Sequence, residues 1–251
     1  MIIKRIAKGI KEQDWFVVTV EIMIVVVGIF IGLQVGNWNE ERKKDVLANE
    51  TLYRLQADFN QIVLVARSSV EVHGQIIRSI EVLREALGEG LLRDDNRQEA
   101  MDALAQGDTH RTPASASSTF RELLSSGQLE LIRNQELRLG LMRYDQSLSS
   151  TIQIQAQIRQ MMTVYTPALK RHSVLSKPIR TVENGIETYR SLNAVDLDFE
   201  GLLVEPEIHT AIEQLLRLQI YIHLYHSNIN QRIEGIRNLI ASEIAMLQND
   251  K

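Results

Sequence analysis

Apolar residues along the chain form one continuous block followed by three periodic ones. The continuous block runs from Trp15 to Leu33, WFVVTVEIMIVVVGIFIGL, with Glu21 as its single charge. As a helix rising ~1.5 Å per residue it is ~28 Å long, close to the ~30 Å hydrocarbon thickness of a bilayer. Trp15 and Trp38 bracket it as interfacial anchors. This predicts a transmembrane helix over 15–36, preceded by a basic segment over 1–14. The run exceeds the usual signal-peptide h-region and no small-x-small site follows it, which argues against a cleaved leader.

The periodic blocks predict three long helices. From about Asp45 to Leu87, apolar residues recur at threes and fours: Leu55, Phe59, Ile62, Ala66, Val70, His73, Ile77, Ile80, Leu83 and Leu87. Gly88-Glu89-Gly90 ends that stretch. Between Asn37 and Lys44 there is neither proline nor glycine, so the membrane helix is expected to continue straight into it. The second block, about Asn134 to His172, carries Leu137, Leu141, Tyr144, Leu148, Thr151, Gln155, Ile158, Met162 and Tyr165, two of them polar, with Pro167 near its end. The third, about Pro206 to Gln248, carries Ile208, Ile212, Leu215, Ile222, Ile229, Ile233, Ile236, Ile240 and Leu247. Pro206 suits a first helical turn. The expected fold is all-α: one transmembrane helix, then an elongated antiparallel helical bundle over 37–251.

The connections are less regular. Residues 94–106 read as a short helix and Gly107 to Ser118, GDTHRTPASASS, as a polar loop. A second short helix is expected from Ser118 to Ser126, with Ser118 as its N-cap and Gly127 as a left-handed stop. Asn134 then caps the next long helix. Residues 173–205 read as a long connection with one or two helical turns, and period-two alternation is too fragmentary to place strands.

Composition narrows the class of function. Hydrophobic residues make up 44% but aromatics only 5%, so the core is aliphatic. The net charge of −4 argues against a general nucleic-acid binder. With no cysteine, a thiol nucleophile, a thiolate metal site and a disulfide framework are excluded. Four Lys or Arg lie within about twenty residues on each side of the span, the first side adding the amino terminus, and the precedent of signal anchors puts the N-terminus in the cytoplasm and the large domain in the periplasm.

Two features of the span go beyond anchoring. Gly28, Gly32 and Gly36 are spaced by fours, which makes a smooth ridge where a second backbone can approach. Glu21 lies two turns before Gly28, within about 20° of the same face. An acid at that depth faces protein rather than lipid. Together the four residues predict an interface for self-association or a membrane partner, with Glu21 protonated or hydrogen-bonded across it.

Two segments carry a resemblance. Glu21 to Glu40, EIMIVVVGIFIGLQVGNWNE, resembles the N-terminal signature of a family of uncharacterised bacterial single-pass membrane proteins, with its acidic residue, aliphatic run and Leu-Gln, Asn-Trp-Asn-Glu exit. Phe120 to Asp145 resembles the same family's central Ser-Ser-Gly, Leu-Ile-x-Asn and Leu-Arg pattern. Gly36 and Gly32 stand where that family commonly has asparagine and alanine. The resemblance implies bacterial origin and membrane attachment, and no activity; the expected location is the bacterial inner membrane.

Motifs for catalysis are missing. No phosphate-binding, dinucleotide-binding or nucleophile-elbow pattern occurs. His223 and His226 share a helix face, but a zinc site wants three or four ligands, so a bundle face is the expected home and no metal or cofactor is predicted. His110 is in reach of an anion from the polar loop. Arg121, Arg133, Arg138 and Arg143 are expected to pair with Glu122, Glu130 and Glu136. The expected function is that of a non-enzymatic, membrane-anchored scaffold. The alternative is a proton- or ion-coupling subunit that uses Glu21.

Overall fold

A computed structural model describes residues 15–177, 179–183, 186–190 and 194–249. The basic segment 1–14, Pro178 and Gly185 lie outside them. Among the described residues there are six α-helices: α1 (Trp15–Glu89), α2 (Arg97–Gln106), α3 (Ser118–Ser126), α4 (Gln135–Lys170), α5 (Phe199–Val204) and α6 (Glu207–Asn249). The all-α class is as expected. The chain divides into two compact units, Met1–Thr51 and Leu52–Lys251.

In the first unit, α1 already runs without a break from Trp15. Its apolar residues face outward: Ile22, Ile24, Phe30 and Leu33 are each at least 60% exposed. A side chain of this size forfeits about 1.5–3 kcal/mol when left in water. The segment is long and apolar enough to cross a membrane.

The second unit is built on three seams. Buried residues on α1 alternate at threes and fours from Leu52 through Leu55, Phe59, Ile62, Ala66, Ser69, His73, Ile76, Ile80 and Leu83 to Leu87. Val70 and Ile77, expected inside, are half-buried, because an unbroken 3.5-residue period gives their places to Ser69 and Ile76. On α4 the buried seam from Leu137 to Met162 is the expected one, including Thr151 and Gln155. On α6 the seam is also as expected up to Ile240, and Gln219 and His226 fill its two gaps.

Ion pairs set the directions. Arg84 pairs with Glu213 at 3.6 Å and Arg67 with Glu234, so α6 runs antiparallel to α1. Phe59 meets Tyr144 edge-on at 5.7 Å, while Leu83 and Leu87 share a cluster with Ile158, Met162 and Leu169, so α4 runs parallel to α1. A parallel pair requires a return leg. That leg is the segment 107–117, which is not helical. It starts at Gly107, next to Ile80, and ends at Ser117, whose hydroxyl donates to Asp58 at 2.7 Å. About ten steps of extended chain cover ~33 Å, which is what α1 climbs in about twenty-two residues between Asp58 and Ile80. The expected polar loop is thus a strap laid along the bundle, with Ala114 only 2% exposed.

Caps fix the ends. Gly90 has φ +67°, with Leu91 N–H donating to Ala86 O at 3.1 Å and Gly90 N–H to Leu87 O at 3.3 Å, the paired bonds of a Schellman stop. Gly127, at φ +71°, ends α3 as expected. The N-cap of α3 is Ser117 rather than Ser118: its hydroxyl oxygen accepts from Phe120 N–H at 3.1 Å, while the Ser118 hydroxyl turns to Asp58. Asn134 caps α4, accepting from Leu137 N–H at 2.9 Å.

The stretch after α4 corrects the reading of a strandless connection. Its described residues hold four short strands: β1 (Ser173–Leu175), β2 (Ile179–Glu183), β3 (Ile186–Arg190) and β4 (Ala194–Leu197). β1 pairs antiparallel with β4 through a bulge, and β2 pairs antiparallel with β3. Ala194 and Leu197 join the core cluster that contains α2 and the start of α6.

Candidate functional site

The strap has neither helix nor sheet to satisfy its backbone, so side chains from the seams do so. Gln219 sits at the centre, fully buried on α6. Its amide nitrogen donates to Gly107 O and Thr109 O, both at 2.8 Å. Its carbonyl oxygen lies 2.9 Å from His73 Nδ1. The backbone N–H of Arg111 donates to His73 Nε2 at 3.3 Å. A ring nitrogen that accepts there is unprotonated, so His73 is neutral with its proton on Nδ1, donating to Gln219.

His226 completes the layer. Its ring stacks on that of His73 with centroids 4.9 Å apart and planes 16° from parallel. Its Nε2 is 3.1 Å from Arg111 O and 3.0 Å from the side-chain amide of Gln155. A backbone carbonyl can only accept, so Nε2 carries the proton and donates it to Arg111 O, with the Gln155 amide nitrogen beside it. Both polar groups of Arg111's backbone are therefore held by the histidine pair. Lower on the strap, Tyr144 Oη donates to Ser115 O at 3.1 Å. At its end, Asp58 accepts from the hydroxyls of Ser117 and Ser118 and from Thr119 N–H at 2.9 Å.

The electrostatics follow burial. Desolvation lowers His226 to about 4, helped by His73. Desolvation also lowers His73, against the bond from Gln219 that favours its charged form. Burial raises Tyr144 above its ordinary value. Burial would raise Asp58 too, but its bonds from Ser117, Thr119 and Ser118 outweigh that and lower it. Beside the strap, Val72, Ile76, Asp102, Thr109, His110 and Lys170 line an open groove of about 650 Å3, crossed at one end by the Lys170–Asp108 pair at 2.7 Å.

The residues read from the sequence as an interface lie in the other unit. Glu21, Gly28, Gly32 and Gly36 are on one exposed stretch of α1, and a Cβ at any of the three glycines would meet nothing within 4 Å. Trp38 is 66% exposed, and Trp15 opens the helix. The histidine face of α6 divides: His226 enters the seam, whereas His223 Nδ1 is buried with no hydrogen-bond partner. Among the described residues, no group of three or more His, Asp or Glu converges on a point that could hold a metal. His110 Nε2 lies 3.3 Å from Arg159. The expected pairing is corrected at two of the four arginines: Arg121 turns to Asp145 at 3.7 Å and Arg138 donates to Ile132 O at 3.3 Å, while Glu122 pairs with Arg54, because α3 packs across α1 and α4 and brings more distant partners closer than sequence neighbours.

The sequence reading does not reach Gln219 and places His226 only on a bundle face with His223, although both fall at the empty heptad positions of the third seam. Compared with protein-family models, with curated proteins and with solved structures, the chain shows no match.

Proposed function

We propose that this protein is a membrane-anchored scaffold that assembles through its N-terminal helix and carries a helical bundle outside the bilayer. The observation that carries the reading is the exposed face of α1, where Gly28, Gly32 and Gly36 leave open space beside Glu21. Without a hydrophobic drive between helices in lipid, small residues that allow close backbone approach and a polar group that bonds across the interface are what favour association. The resemblance of Glu21–Glu40 and Phe120–Asp145 to bacterial single-pass proteins supports placement in a bacterial membrane, and the precedent of signal anchors supports a bundle in the periplasm. The occupant of the face is a second copy of the chain or a membrane protein partner.

The test is purification of the full chain from its own membrane in mild detergent, identifying what co-purifies at fixed stoichiometry, with Gly32→Leu and Glu21→Gln in parallel. A homo-oligomer or defined partner that Gly32→Leu disrupts supports the scaffold. A monomer with no partner, unchanged by Gly32→Leu, overturns it. Glu21→Gln separates the proton-coupling alternative: glutamine can still hydrogen-bond, so a scaffold tolerates it and a proton-coupled subunit does not.

A further inference from the structure

We propose that the strap 107–117 is a proton-released latch: neutral His73 and His226 clamp the Arg111 backbone against the bundle seam, and protonation of the pair lets the middle of the strap go. The geometry supplies the mechanism. His73 Nε2 accepts the Arg111 N–H at 3.3 Å, and its Nδ1 already donates to Gln219. A second proton has no place to go except Nε2, where it faces the Arg111 N–H donor and removes that bond. Protonation of His226 enters at Nδ1 and leaves its Nε2–H on Arg111 O, so its part in release is the charge it puts on a ring stacked 4.9 Å from the first.

The surrounding charges oppose protonation of the pair. His223 of α6 and Arg111 of the strap act against the charged forms of both rings, and His110 of the strap acts against His73. On α1, Arg78 lies with His223 against Gly74. α4 contributes neutral Gln155, with Arg159 further out on His110. Each of the ionisable groups named is a cation or becomes one in acid, so no carboxylate among them compensates a proton on the pair. Burial works in the same direction, lowering both histidines.

The two ends of the strap stay fixed in acid. Gln219 holds Gly107 O and Thr109 O through an amide that does not titrate. Asp58 holds the Ser117 end, and its own lowered pKa keeps it ionised. Tyr144 holds Ser115 O through a phenol that stays neutral in acid, so release is confined to the stretch from Arg111 to Ala114, beside the groove that Thr109, His110 and Arg111 line.

The experiment is hydrogen exchange read by mass spectrometry on the full chain in detergent, at about pH 7.5 and about pH 5, with rates corrected for the intrinsic effect of pH. Peptides covering 110–116 are compared with peptides from α4 and α6 in the same sample. The latch predicts that protection of 110–116 falls about tenfold or more in acid while the helices hold theirs, and that a His73→Gln, His226→Gln double variant loses this response. Equal loss in strap and helices, or no loss in the strap, overturns the latch. So does an unchanged response in the double variant. If that variant fails to fold, the strap-to-helix comparison within the wild-type sample decides alone.

Discussion

Between Val20 and Val35, α1 turns its apolar side chains outward on every side. Between Leu52 and Leu87 the same helix buries one residue at every third or fourth position. Both stretches are free of proline and lie in one unbroken helix, so helix formation does not distinguish them. Pattern does. The first has no polar face to offer water and none is needed in lipid. The second alternates with Arg54, Arg67, Arg84 and their neighbours, which take the solvent side and define a seam. A further contrast lies within the second stretch: where the seam turns polar, at His73, it serves the strap's backbone rather than packing apolar side chains, while Ser69 returns its hydroxyl to Val65 O of its own helix at 3.0 Å.

Removing an aromatic from each stretch separates them most sharply. Phe59→Ala, at a fully buried position against Tyr144, is expected to cost about 3–5 kcal/mol in a denaturant titration of the bundle. Phe30→Ala, 61% exposed, leaves that transition where it was. If the two variants shift the midpoint equally, the contrast between the stretches is wrong.

Acid tests the polar layer. A histidine whose folded pKa lies below its unfolded value of 6.5 contributes stability that is complete above pH 6.5 and is lost as pH falls toward the folded value. For His226, lowered to about 4, the loss at about pH 5 is about 2 kcal/mol, and His73 adds to it in the same window. His226→Gln is expected to flatten the pH dependence of the unfolding midpoint. A wild-type midpoint that rises on acidification would contradict the neutral pair.

Smaller effects belong to the ends of elements. Gly127→Ala forces a Cβ into the left-handed region at φ +71° and is expected to lower stability by about 1 kcal/mol. Asn134→Ala, which removes the cap bond to Leu137 N–H, costs about 1 kcal/mol as well. Glu122→Gln, at the exposed partner of Arg54, leaves the midpoint unmoved.

Much of this architecture was legible in the sequence because period carries it. The three seams, the continuous α1, the Gly90 and Gly127 stops and the Asn134 cap all follow from spacing and local backbone chemistry. The polar layer is half legible: His73, Thr151 and Gln155 fall into their stripes and His226 onto a bundle face, but Gln219 does not show, because a stripe traced through apolar residues skips polar ones. Their purpose depends on the strap, and an extended segment held by distant side chains has no local signature. The hairpin of β2 and β3 was also passed over, although Asn184-Gly185 between Thr181-Val182 and Ile186 is a strong short-range hairpin signal. Two strands of that length were too short for alternation to stand out.

The absence of native cysteine makes the central claim directly measurable. Single cysteines placed in turn from Val25 to Gly36 in the full chain, oxidised in its own membrane, report which side of the helix meets a second copy. Disulfide-linked dimers that peak at positions 28, 32 and 36, and are weak at positions 30 and 34, are the result expected for a helix that crosses the bilayer and pairs through its glycine face. Uniform cross-linking around the helix, or none at any position, would contradict it.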